Sequence, residues 1–142
     1  EARRAVMALA AAATAAELAR VRDLAPPGVV DLRPPEIGLV MVRGRAGGSG
    51  AQFNLGEATV TRAAVRLPSG VTGFGHLLGR DGPRARDAAL LDALWCEGEA
   101  RDRLEAEVLA PIRARVARDR ARRAAETAAT RVDFFTLVRG DG

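Results

Sequence analysis

A chain of 142 residues, 48% hydrophobic and 28% charged, has the size and balance of one soluble globular domain and excludes a disordered or fibrous composition. Its longest apolar run, the alanine-rich Ala8–Ala16 interrupted by Thr14, is too short and too weakly hydrophobic to span a bilayer, and Glu17 and Arg20 continue its helical pattern, which argues against a signal peptide. All 22 basic residues are Arg against 18 acidic residues, and the resulting net charge of +4 is too small for a dedicated nucleic-acid binder, so a cytoplasmic protein without membrane or nucleic-acid contacts is expected.

In chain order, residues 2–24 read as helix in two pieces. Val6 and Leu9, then Leu18, Val21 and Leu24, recur at helical spacing. Thr14 followed by Glu17 fits a capping box that starts the second piece. Pro26, Pro27 and Gly28 end it. The sequence begins at Glu1 rather than Met, so a few leading residues are expected before it. Val29–Arg33 reads as a short extended segment, which Pro34 and Pro35 confine to a sheet edge.

Three strands follow. Ile37–Arg45 alternates Ile37, Leu39 and Met41 on one face with Val40 and Val42 on the other, the pattern of a strand buried on both sides. After the loop Gly47-Gly48-Ser49-Gly50, a long strand rich in Thr and Val runs from about Asn54 to Leu67. Pro68-Ser69-Gly70 forms a turn. Val71–Leu78 then places Phe74, His76 and Leu78 on one face. Such short loops imply an antiparallel meander.

Helices return after Asp81, which can cap, with Pro83 in the first turn. Ala88, Leu91, Leu94 and Trp95 share a face, and Gly98 marks a break. Leu104, Val108, Ile112 and Val116 form an amphipathic stripe in which Pro111 should kink or divide the helix. Six arginines between Arg113 and Arg123, interspersed with Asp119, read as a solvated face. The fold class is α+β: an antiparallel β-meander flanked by N-terminal and C-terminal helices.

Few residues suggest chemistry. Gly48, in the glycine loop, offers backbone N–H groups to a phosphate, or is plain hairpin loop; the Lys and following helix of a P-loop are missing. Arg80 and Arg84 flank a helix N-terminus and would favour an anion there, unless Asp81 simply caps the helix and Arg80 faces solvent. Arg62 and Arg66 share a strand face, which is either solvated or an ion-pairing interface. Cys96 and His76 are the single residues of their types. They have no metal-ligand spacing and no third group to orient a nucleophile–base pair, and Cys96 reads as a buried small hydrophobe. No catalytic residues, metal site or cofactor site is read from the chain.

The last twelve residues carry Val132, Phe134, Phe135, Leu137 and Val138, too much apolar surface to leave in water. Segment 131–142 therefore docks, onto its own domain or onto another subunit, with Phe134, Phe135 and Arg139 as candidate contacts. Its string Arg131-Val-Asp-Phe-Phe-Thr-Leu-Val-Arg-Gly-Asp-Gly142 resembles the C-terminal signature of the PhnG subunit family of the bacterial carbon–phosphorus lyase system. Gly38–Gly50, Gly56–Leu67 and Gly79–Asp81 running into Leu91–Leu94 resemble that family in the same order, so the likeness covers nearly the whole chain as one domain.

That resemblance implies an assisting or structural subunit in phosphonate catabolism. It implies assembly with PhnI-, PhnH- and PhnJ-like partners, with self-association a second possibility. With PhnI, PhnH and PhnL the family supports displacement of adenine from ATP by a phosphonate, giving an α-D-ribose 1-phosphonate 5-triphosphate. PhnI is the expected catalytic chain and radical iron–sulfur chemistry belongs to PhnJ; a single cysteine here agrees with that division. The alternative is a self-contained small-anion or nucleotide-binding module built on the glycine loop and the arginines.

Overall fold

The computed structural model describes residues 1–130, so the docking segment and its Phe134, Phe135 and Arg139 lie outside the described residues. Helix α1 (Ala2–Ala12) stops at Ala13, whose backbone turns extended. Thr14 then restarts the chain as α2 (Ala15–Ala19) through a complete capping box. The Glu17 N–H donates to the Thr14 hydroxyl at 3.2 Å, and the Thr14 N–H donates to the Glu17 carboxylate at 2.8 Å. A 3-10 turn over Arg20–Leu24 completes the N-terminal unit.

The sheet is an antiparallel meander in the order β1 (Val30–Arg45), β2 (Gln52–Arg66), β3 (Thr72–Leu78). The segment before the prolines is not separate: it is the first part of β1, which runs through Pro34 and Pro35. Register shifts between Asp31 and Arg33 and between Arg33 and Glu36 accommodate the two residues. An edge strand with bulges tolerates prolines because their missing N–H groups leave no ladder bond unmade on the free side.

Helix α3 (Gly82–Glu97) lies across β2 and β3. Asp81 caps it by accepting the Arg84 N–H at 3.0 Å, and Gly98 ends it in the left-handed conformation at φ 96°. Gly73 and Gly75 face the helix so closely that a Cβ on either would strike the α3 backbone at Ala89 and Ala93 or at Ala85 and Ala89. The expected single apolar stripe understates this helix. Every residue from Asp87 to Leu94 is buried, because the N-terminal helices cover the side away from the sheet.

Two buried carboxylates make that position tolerable. Asp92 takes the Arg3 guanidinium in a fork at 2.7 Å and 2.7 Å, and Asp87 takes Arg22 at 2.7 Å and 2.8 Å. Each pair ties an N-terminal element to the hub helix with the bidentate geometry that Arg favours.

After the short α4 (Arg101–Arg103) the helix widens to π geometry over Leu104–Leu109 and resumes as α5 (Ala110–Ala129). Pro111 sits in the first turn of α5, so the irregularity falls on its N-terminal side. Its ring excludes the regular bond to the residue four before it, and a wider turn relieves the conflict. Leu104, Val108 and Ile112 still deliver one buried stripe. Arg115 leaves the expected solvated run: it is half-buried, holding Glu17 at 2.7 Å and 2.9 Å and the Ala12 carbonyl at 2.8 Å.

Candidate functional site

Among the described residues, one face of the sheet is covered and the other is not. Gly73, Gly75 and Leu77 on β3, with Ala63 and Val65 on β2, meet α3 and the core. Their alternates, Phe74, His76 and Leu78 with Arg62 and Arg66, face away. On that open face Leu32, Arg33, Arg62, Ala64, Phe74 and His76 line a depression of about 430 Å³. Glu36 lies between two arginines there, 3.6 Å from Arg62 and 3.9 Å from Arg33. Both arginines and the carboxylate are about half exposed, so the cluster is a loose, screened one that can exchange partners with an incoming group.

Past this depression the sheet narrows to two strands. β3 stops pairing at Leu78 opposite Val60, and Gly79 gives one last N–H to the Thr59 carbonyl at 2.9 Å. α3 ends its cover at the same level, where Gly82 lies against Pro35. Residues 39–45 of β1 and 52–59 of β2 continue alone as a hairpin arm, about 25 Å long at the usual strand rise. The expected burial of Ile37–Arg45 on both sides is therefore not met among the described residues. Ile37, Leu39 and Met41 are exposed on one face; Val42, Phe53 and Leu55 are exposed on the other. Every exposed large hydrophobic residue found among the described residues lies on this sheet.

The anion-binding candidates are not brought together. Gly48, at φ 79°, occupies the tip of the arm, with open space where a side chain would be. Arg80 is exposed beside the N-terminus of α3, at the root of the arm. Arg84 is spent on structure, since its guanidinium donates to the Ala11 carbonyl at the end of α1 at 2.6 Å. Cys96 is half-buried rather than buried, with its thiol 3.9 Å from Asp92 on the α3 side of the sheet. His76 is on the opposite side, so the two cannot act as a pair. No side-chain hydrogen bond orients His76 among the described residues, and no group of three or more His, Cys, Asp or Glu is placed there to hold a metal. No helix among them is long and apolar enough to cross a membrane.

Among the described residues this region presents exposed apolar side chains beside a loose cluster of two arginines and a carboxylate. The profile of the family described as phosphonate metabolism protein PhnG matches residues 1–140. The chain belongs to the PhnG family. It is also 52% identical over 141 residues to the alpha-D-ribose 1-methylphosphonate 5-triphosphate synthase subunit PhnG of Rhizobium meliloti (strain 1021), covering 98% of this chain and 90% of that protein.

Sequence reasoning missed the arm of this PhnG-family chain as a free element and the buried pair Asp87 and Asp92. The signal for the second was present: two carboxylates inside the otherwise apolar Asp87–Leu94 require partners if that helix is buried.

Proposed function

We propose that this chain is a cytoplasmic, cofactor-free assisting subunit of a multi-subunit synthase in phosphonate catabolism. In that role it supports formation of α-D-ribose 1-(methyl)phosphonate 5-triphosphate from ATP and a phosphonate, within a carbon–phosphorus lyase core complex of PhnI-, PhnH- and PhnJ-like subunits. The observation that carries this reading is the 52% identity, over nearly the whole of both chains, to a subunit of such a synthase. The geometry supports it: a face with exposed Phe74 and Leu78 and an arm with exposed Leu39 and Leu55 need a covering partner. The described residues offer no oriented acid, base or nucleophile.

Within this role, an anionic group of substrate or partner meets Arg80 rather than Arg84 or Gly48. Arg84 already holds the end of α1, whereas Arg80 is exposed and has no acidic partner among the described residues.

The test is co-expression with the PhnI-, PhnH- and PhnJ-like chains, a mass measurement by size exclusion, and an assay of phosphonate-dependent adenine release from ATP. The expected result is an assembly containing this chain, with release that fails when the chain is omitted. Nucleotide turnover by the pure chain, or tight nucleotide binding by a monodisperse chain that ignores the other subunits, overturns the reading.

A further inference from the structure

We infer that the hairpin arm, residues 39–45 and 52–59, inserts into an apolar cleft of a different subunit, and that this cleft has an acidic rim. The inference rests on the reading of the chain as a subunit and specifies which surface joins it and to what.

An arm that was apolar on one side would lie on a flat surface. This one exposes Leu39 and Met41 on one side and Val42, Phe53 and Leu55 on the other. Covering both requires walls on both sides, which is a cleft. A two-stranded ribbon is marginal by itself in water. Among the described residues the arm gets no help from the core: none of these five side chains belongs to the buried cluster.

Charge selects the occupant's partner. Arg43 and Arg45 are exposed near the tip, Arg33 and Arg62 at the root and Arg66 on the open face, against Glu36 and Glu57 alone once Asp31 is taken by Arg86 at 2.8 Å. A second copy would bring one arginine-rich rim against another, and like charges across an interface disfavour association. A heterologous chain with carboxylates around an apolar cleft matches both the side chains and the charge.

The experiment co-expresses the full chain with the PhnI-, PhnH- and PhnJ-like subunits. It compares wild type with Leu39→Ser/Leu55→Ser, with Arg43→Glu/Arg45→Glu, and with Ala117→Ser on the exposed face of α5 as control. Both arm variants are expected to lower affinity for the assembly about tenfold or more, the scale of a central anchor or a reversed charge pair. Ala117→Ser is expected to bind as wild type. Hydrogen exchange on the wild-type complex should show residues 39–59 newly protected relative to the free chain, a readout that stands even if a variant fails to fold. If wild type assembles while both arm variants assemble equally well, or residues 39–59 gain no protection, the inference is overturned and the subunit reading stands. If wild type does not assemble at all, both are lost. A free chain that runs as a homodimer broken by Leu39→Ser/Leu55→Ser also overturns it, because the arm's occupant is then a second copy.

Discussion

Arg3 and Asp92, 89 positions apart, form a two-pronged ion pair at 2.7 Å and 2.7 Å that fastens the first turn of the chain to its hub helix. The same carboxylate also accepts the Phe74 amide at 2.9 Å, so one buried side chain joins α1, α3 and β3. Asp92 is 1% exposed, whereas more than half of the Arg3 side chain is in water. The partners are thus unequal in what their loss leaves behind.

From that asymmetry, Asp92→Ala is expected to be the harsher change. It leaves the Phe74 N–H without its acceptor and opens a gap under β3, at about 3 kcal/mol on the scale of broken buried pairs. Arg3→Ala leaves a carboxylate that still has the Phe74 amide and gains water through the vacated edge, at about 1–2 kcal/mol. Urea denaturation with an unchanged slope reads both. Equal midpoints for Arg3→Ala and wild type would show that the fork contributes nothing.

The contact of β3 with α3 makes a second prediction. Gly75→Ala places a methyl group against the Ala85 carbonyl and 2.8 Å from the Ala89 nitrogen, both rigid helix backbone. Overpacking of this kind costs about 1–3 kcal/mol. The helix must lift, which loosens the strand that carries Phe74 and His76. A lowered thermal midpoint with faster amide exchange in residues 72–78 is expected, and an unshifted midpoint contradicts the close packing.

Much of this was legible beforehand because it is local. Thr14 and Glu17, Asp81 and Pro83, and Gly98 each act within one turn, and each sits where its spacing indicated. The meander follows from loop length alone. Partner choice was not legible, since nothing near Arg3 or Arg22 in the chain distinguishes them from the solvated arginines. Their acceptors lie 89 and 65 positions away. The arm misled for a different reason. Alternation in Ile37–Arg45 reports that both faces are apolar, and a period of two cannot say whether the covering walls belong to the same chain. Of the candidate site, Arg80 and Gly48 were placed correctly on a helix start and a hairpin tip, but only the register shows that the arm keeps them apart.

Cys96 offers a functional prediction. Its thiol lies 3.9 Å from Asp92, too long for more than a weak donor contact, and His76 is across the sheet. Cys96→Ala is therefore expected to retain assembly and phosphonate-dependent adenine release within about twofold, with a stability loss of about 1 kcal/mol for the removed sulfur. A large fall in turnover by a stably assembled Cys96→Ala complex would assign the thiol a role in the chemistry.

Glu17 ties the N-terminal capping box to the C-terminal helix, and this gives stability a pH signature. Hydrogen bonding from the Arg115 guanidinium holds its carboxyl at about 2, below the ordinary 4.5, with smaller help from the Thr14 amide and against a modest cost of burial. Between those values the unfolded chain binds a proton that the folded chain refuses. The contribution is therefore whole above pH 4.5, falls as acid is added, and is gone once pH drops through about 2. Glu17→Gln keeps the shape and an acceptor for Thr14 but removes the charge. It is expected to lower stability at pH 7 by about 1–2 kcal/mol, the scale of a partly buried charge-assisted pair. The gap between wild type and variant should then close as pH falls from 4.5 toward 2. Chemical denaturation of both proteins at pH 7, 4 and 2.5 measures that gap directly. A gap that stays constant across the series would mean that the carboxyl is not held by Arg115 in solution.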